Sequence, residues 1–405
     1  MKRGKKKNKA RNNYLWILLI IFIVALGFML LKKEAVPVVI PLTNEEIEIQ
    51  NLEDERINKM IYDTDVELQR LKKNDLKLTG GKNHQMFDKL RANLQIATDD
   101  YENLLDLRYN GVKVNTEEEK FADLLSAARV GDVEMADEAL SDLLALLATQ
   151  KNVMYVSAVM AAGPSIPASV QAINQAPSSG YRRQKVTADG RSYLVDIQAA
   201  DLNTTKVIAD TASDGTCANN CPILPLRTFV SRSGAYAGIN GTYFCPETYP
   251  SCAGKKNSFD TLLMNKNKTY FNSDNNVYSS VPAVIFSPGS ARFVSASSEW
   301  GRDTGVDSVI ANRPLLTLNG NVMTGGGEAK ENIRGNRSFV GASGSTAYIG
   351  VIRSASIAEA AKVLQAMGVQ NALNLDNGGS TAFWSGGFKA GPGRNLPNAI
   401  LFVKR

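Results

Sequence analysis

The sequence predicts an α+β protein in three parts: one transmembrane helix, an all-α stalk, and a mixed-sheet domain lying outside the membrane. Three observations carry this. Tyr14 to Leu31 is apolar for 18 residues, interrupted only by Gly27, directly behind a basic run. Residues 42–150 are rich in Glu, Lys, Leu and Asp and hold no proline. From about Tyr181 the texture changes to short β-rich runs separated by Gly, Asn and Asp turns. At 405 residues the chain has room for two or three domains.

Residues 1–13 carry seven Lys and Arg (Lys2, Arg3, Lys5, Lys6, Lys7, Lys9, Arg11) and no acid. Taking these from the 46 bases leaves 39 against 40 acids, so the net charge of +6 resides in the tail. The rest is nearly neutral, and no nucleic-acid partner is implied. At roughly 1.5 Å per residue the 18-residue run spans about 27 Å, close to the hydrocarbon thickness of a bilayer. The positive-inside rule puts residues 1–13 in the cytoplasm as a basic tail and everything after Lys33 outside. No small-x-small cleavage site follows the run, so residues 14–31 read as an uncleaved anchor in the cell membrane, not a signal peptide.

In residues 42–150, Ile57, Met60, Ile61, Leu68 and Leu71 recur on one helical face. Gly80-Gly81 breaks the pattern, and a second helix runs through Leu107. Thr116-Glu117-Glu118-Glu119 has capping-box spacing ahead of Phe121, Leu124 and Leu125, and Gly131-Asp132 interrupts before Leu140–Leu147. The region reads as a helical stalk, coiled-coil-like and able to self-associate, with heptads too irregular to fix an oligomer state. His84, the single histidine, reads as a solvated helix residue. Residues 151–184, rich in Ala, Ser, Pro and Gly from Ala161 on, read as a linker to a domain over 185–405.

In that domain the expected strands are Tyr193–Ile197, Val207–Ala209, Ala235–Ile239, Ala283–Phe286, Ser308–Ile310, Phe339–Ala342, Thr346–Ile352 and Ile400–Val403. Ser356-Ile357-Ala358-Glu359 has capping-box spacing for a helix over Ala360–Met367, which Gly368 would stop. Asn371 to Leu375 alternates polar and apolar as a short strand, with Asp376 at its end and Gly378-Gly379 beyond. This makes a strand–helix–strand unit with a carboxylate at the carboxyl end of the second strand, where α/β sheets tend to bind ligands. The plainer alternative is an Asx turn in which Asp376 caps its own backbone.

Cys217, Cys221, Cys245 and Cys252 fall within 36 residues of an extracytoplasmic domain, so two disulfides are expected, with three connectivities open. The C-x3-C and C-x6-C spacings fit zinc knuckles poorly. The disulfides would pin the loops around Asn240. With no histidine after His84 the domain cannot run a Ser-His-Asp or Cys-His mechanism. Carboxylates, arginines, hydroxyls and backbone amides remain, a set suited to glycosyl or phosphodiester chemistry or to binding. No cofactor is implied. A metal at Asn374 and Asp376 is conceivable, but no calcium-loop spacing is present.

Four segments concentrate such groups beside glycine: Asn240-Gly241-Thr242-Tyr243-Phe244, Arg337-Ser338-Phe339-Val340-Gly341, Leu375-Asp376-Asn377-Gly378-Gly379-Ser380-Thr381, and Arg394 with Pro397-Asn398-Ala399. Taken singly they read as a hairpin turn, surface ion pairs and loop glycines. In this order, across about residues 186–403, they resemble the phosphodiester glycosidase family. That family includes the N-acetylglucosamine-1-phosphodiester α-N-acetylglucosaminidases and bacterial exopolysaccharide-biosynthesis relatives. Thr242 and Asn377 stand where the family pattern has glycine. Both positions are expected to need unusual backbone angles, and a β-branched Thr242 implies a locally different turn.

The resemblance implies a hydrolase of sugar-1-phosphodiesters in envelope or exopolysaccharide metabolism. A phosphomonoester leaving group needs little protonation, so one carboxylate with cations can replace the usual glycosidase pair. Asp376 would be that carboxylate, and Arg337 and Arg394 would hold the phosphate. Asn240, Gly241, Gly378, Gly379, Ser380 and Asn398 would line the substrate site. Glu328, Glu299 and Asp260 are candidates for a second carboxylate. Sequons stand at Asn203, Asn240, Asn267 and Asn336, and a glycan on Asn240 or Asn336 in a eukaryotic secretory pathway would crowd the site, which points to a bacterial source. The rival readings are a non-catalytic glycan-binding or envelope-organising module, and a scaffold whose outer domain is a partner-binding cap.

Overall fold

The computed structural model describes residues 44–79, 81, 83–109, 114–160, 166–303, 305–323 and 332–405. The basic tail, the Tyr14–Leu31 span and Glu328 lie outside them. Among the described residues no helix is long and apolar enough to cross a membrane.

The first half is helical: α1 (Asn44–Thr79), α2 (His84–Tyr109), α3 (Asn115–Val130) and α4 (Val133–Met160). The apolar faces foreseen from spacing turn toward one another. Leu68, Leu90, Leu94, Phe121, Leu124 and Leu143 are buried in one cluster, and the rings of Tyr101 and Phe121 stack at 4.8 Å. Ile57, Met60 and Leu71 pack at its edge. This is a bundle with a core of its own instead of an extended stalk, because the short connections let each helix cover its neighbour's apolar stripe. Gly131 ends α3 at φ 80°, its N–H bonded to Ala127 and Ala128 carbonyls, as the Gly-Asp break foresaw. The Thr116 capping box is not formed: Val114 is the N-cap and no side chain caps the helix. His84 opens α2, half-buried.

The 151–184 segment is not a simple linker. Residues to Met160 belong to α4, and 171–173 lie along the edge of the next sheet through Ile173–Lys185 and Lys185–Gln171 backbone bonds.

The second half forms three sheets. The largest, in spatial order, holds β1 (Gly180–Ala188), β2 (Arg191–Asp201), β13 (Thr346–Ala355), β12 (Gly335–Ser343), β14 (Asn371–Asn374), β10 (Leu315–Leu318) and β11 (Asn321–Val322). The second holds β16 (Phe388–Ala390), β15 (Phe383–Ser385), β4 (Ala237–Asn240), β17 (Asn398–Lys404) and β3 (Thr205–Thr211). The third holds β6 (Tyr270–Phe271), β5 (Leu263–Met264), β9 (Ser308–Ala311), β7 (Ala283–Ser287) and β8 (Ser290–Val294). One core fills the space between them: Val340, Ile349 and Leu373 from the first, Ile239, Phe383 and Phe402 from the second, Leu263, Val284 and Ile310 from the third.

Helix α5 (Leu226–Arg232) packs Leu226, Phe229 and Val230 on the second sheet. Helix α6 (Ile357–Ala366) packs Ile357, Ala360, Ala361 and Leu364 on the outer face of the first, against Ile197, Phe339 and Ile352. Its capping box forms in both directions between Ser356 and Glu359, and Gly368 follows at φ 75°.

The expected mixed sheet is not found; the ladders between named strands are all antiparallel. The strand–helix–strand unit exists, but β13 and β14 point the same way without touching. β12 lies between them and pairs with both.

Candidate active site at the tip of β14

Register builds the site. Phe339 of β12 faces Asn374 of β14, and the Leu375 N–H donates to the Ser338 carbonyl, which carries the ladder one residue further. Arg337 lies two residues before Phe339 and Asp376 two residues after Asn374, at the two strand ends, and the charges of both act on Tyr243. Asp376 is half-buried; Arg337 is buried, 8% exposed. The Arg337 Nε–H donates to the Ala355 carbonyl at 2.9 Å, and its NH2 group donates to the Ile333 carbonyl. One Asp376 oxygen accepts the N–H of the adjacent Asn377 at 2.8 Å, so the carboxyl does bond its own backbone, but one residue on and not two as the Asx turn of the plain alternative would.

Beneath lies a network of carboxamides. Asn240 ends β4 fully buried: its Nδ2 donates to the Asp376 carbonyl at 2.7 Å, and its Oδ1 accepts from Ser338 Oγ at 2.9 Å and the Ala382 N–H at 3.1 Å. Asn374 Nδ2 donates to Tyr243 Oη at 2.7 Å and to the Arg313 carbonyl at 3.0 Å. Asn377 Oδ1 accepts the Ser338 N–H at 3.0 Å; its Nδ2 donates to Asn374 Oδ1 at 3.2 Å and Tyr243 Oη at 3.3 Å. Burial pushes the Tyr243 phenol up to about 12, the Asp376 charge adds to the rise, and Arg337 partly opposes it. Tyr243, Asn374, Asn377 and Ser338 are site residues not nominated from the sequence. Their signal was present: Tyr243, Ser338 and Asn377 sit inside the quoted motifs, and Asn374, considered above only as a metal ligand, directly precedes one.

Gly241 is required by close approach: a Cβ there would fall 1.8 Å from Asn398 Oδ1. That oxygen accepts the Thr242 N–H at 2.9 Å, and Asn398 Nδ2 donates to Thr242 Oγ1 at 3.0 Å. The expected unusual backbone angles are absent: Gly241 and Thr242 have no positive φ, and Asn377 lies at φ −128°. Thr242 is held by its hydroxyl instead, and the left-handed residue is Gly378 at φ 58°. Gly378–Ser380 form one 3-10 turn, with Gly379 and Ser380 buried. The Arg394 N–H donates to the Gly379 carbonyl at 2.8 Å, which stitches the last motif to this turn.

The Arg394 guanidinium lies 5.2 Å over the ring of Tyr249. Tyr249 belongs to a loop closed by Cys245–Cys252, and the other disulfide is Cys217–Cys221. Helix α2 leans on this loop: Ser251 N–H donates to Glu102 at 2.9 Å, and Tyr249 packs at the edge of the helical core. Of the further carboxylates, Glu299 lines a surface cavity of about 360 Å³ with Arg292 and Asn371, at the opposite end of β14. Asp260 is exposed ahead of β5. Among the described residues no group of three or more His, Cys, Asp or Glu could hold a metal.

Residues 233–403 match the family model described as phosphodiester glycosidase. Among solved structures, the auto-inhibited catalytic domain of zebrafish N-acetylglucosamine-1-phosphodiester alpha-N-acetylglucosaminidase is 15% identical with a TM-score of 0.45, covering 58% of this chain and 87% of that one. A hypothetical protein from Synechocystis is 14% identical with a TM-score of 0.39, covering 56% of this chain. This chain spans 62% of the Synechocystis chain's length. No curated protein matches. Residues 233–403, which hold Asn240, Arg337, Asp376 and Arg394, are a domain of the phosphodiester glycosidase family.

Proposed function

We propose that the domain hydrolyses sugar-1-phosphodiester linkages of the N-acetylglucosamine-1-phosphate type, on the outer side of a membrane to which residues 14–31 anchor it. The observation that carries this is Asp376, half-buried at a strand tip, with its charge and that of Arg337 both acting on Tyr243. The carboxylate activates water at the anomeric carbon. The bond from that carbon to the phosphate oxygen breaks, and the phosphomonoester leaves with the electron pair. Arg394, bonded through its backbone to Gly379, takes the phosphate charge, while Arg337 sets the field around the carboxylate. Buried Asn240 and Asn398 act by fixing the strand tips, since their carboxamides are bonded within the protein. Envelope or exopolysaccharide polymers of a bacterial cell surface are the substrate class this location suggests.

The test is release of free sugar from N-acetylglucosamine-1-phosphodiesters and UDP-GlcNAc by the oxidised full chain. Asp376→Asn lowers kcat by roughly 10²- to 10⁴-fold, the range for a lost general base. Glycan binding without release, equal in wild type and variant, would establish the binding-module reading instead.

A further inference from the structure

The amide network around Tyr243 leaves one donor unassigned. Asn377 cannot be turned over, because its Oδ1 accepts a backbone N–H from Ser338. Asn374 cannot either, because its Nδ2 donates to a backbone carbonyl of Arg313. Both therefore present N–H groups to Tyr243 Oη, at 2.7 and 3.3 Å. A phenol oxygen accepts two hydrogen bonds and donates one. With both acceptor positions filled, its hydrogen points away from the two amides, and among the described residues it meets no acceptor. Tyr243 is nonetheless half-buried, within reach of the Asp376 and Arg337 charges.

We infer that Tyr243 is a further catalytic residue, its hydroxyl donating a hydrogen bond to an anionic phosphoryl oxygen of the substrate. This rests on the reading of the site as one for sugar phosphodiesters. Phosphoryl oxygens are the strongest acceptors such a substrate brings, and bonds to charged acceptors are the strong ones. The phenol keeps its proton throughout. Water adds to the anomeric carbon and gives its proton to Asp376, and the electron pair of the broken bond leaves on phosphate. A phenol raised to about 12 by burial and by Asp376 is a donor at every working pH and not a proton source.

The experiment uses the full chain and two phosphorothioate diastereomers of an N-acetylglucosamine-1-phosphodiester. Sulfur accepts hydrogen bonds poorly, so one diastereomer is slow in the wild type. Tyr243→Phe lowers kcat/KM on the oxygen substrate about 10- to 100-fold and erases most of that thio effect. A loss of equal factor on all three substrates would mark a merely structural hydroxyl and overturn the assignment. If the phenylalanine variant does not fold, 3,5-difluorotyrosine at position 243 keeps both acceptor positions while acidifying the donor. Its activity falls at a lower alkaline pH than that of wild type, and an unchanged profile overturns the proposal. If the wild type releases no sugar, the parent reading fails by itself. Affinity for N-acetylglucosamine-1-phosphate then decides: weakening about 10-fold in Tyr243→Phe upholds the contact, and equal affinity removes it.

Discussion

Asn240 closes three hydrogen bonds that tie β4 to β12, to the end of β14 and to the start of β15, with no surface exposed to solvent. Truncating it strands a carbonyl on Asp376, an N–H on Ala382 and a hydroxyl on Ser338. Each buried group without a partner costs about 1–3 kcal/mol. Asn240→Ala therefore unfolds at lower denaturant, by about 3 kcal/mol or more, and loses activity alongside stability. Urea titration with parallel kinetics checks this, and full stability with lost turnover would return Asn240 to the substrate. An Asn-Gly pair at a strand end marks a special place in any sequence. What the letters do not carry is which way the carboxamide points, and here Ser338 and Ala382 decide it from far along the chain. Thr242 is the converse case: judged by its branched Cβ it demanded an altered turn, but the Asn398 carboxamide that holds it lies 156 residues away.

At the scale of elements, the disulfide loop Cys245–Cys252 carries Tyr249 under the Arg394 guanidinium, while Arg394 is bonded through its backbone to Gly379. A cation over an aromatic face contributes about 0.5–2 kcal/mol. Tyr249→Ala removes the ring beneath the guanidinium, so KM for a phosphodiester rises several-fold with kcat nearly unchanged, whereas Tyr249→Phe keeps the ring and the wild-type KM. Steady-state kinetics on the two variants decide it; an equal fall of kcat in both would tie Tyr249 to the chemical step. The elements themselves were legible where the signal is local. The Ser356–Glu359 box, Gly131, Gly368 and the long strands need only neighbouring residues. Strands of two or three residues, such as Leu263–Met264 and Phe388–Ala390, exist only because a partner strand is beside them. The intrusion of β12 between β13 and β14 is likewise a long-range pairing, invisible to periodicity.

In the whole molecule, two buried carboxylates bind the layers together. Asp196, with no exposed surface, accepts from Arg183, Arg353 and Tyr181, and Arg353 also reaches the Lys389 carbonyl of the second sheet. Asp210 accepts from Arg232, Ser233 and Lys266, joining β3, α5 and the segment just beyond β5. Helical spacing likewise gave the apolar faces of α1 to α4, but one chain's periodicity does not say whether such a face meets a second copy or its own neighbour. Here it meets its neighbours, and Glu102 then fixes the bundle to the disulfide loop. Burial alone would raise both aspartates; the hydrogen bonds and charges of their cationic partners outweigh it and hold both carboxyls below the usual carboxylate range. A carboxyl whose folded pKa is depressed contributes stability that is complete above the unfolded value, near 4, and is lost as pH falls through the folded value. Melting temperature should accordingly change little on this account from pH 7 to about 5 and fall steeply below about 4. Asp196→Asn starts lower at pH 7, because it leaves Arg183 and Arg353 with a neutral partner, and loses less on acidification. Thermal melts of both proteins from pH 7 to 3 measure the two slopes; parallel curves would show that the acid transition is governed elsewhere.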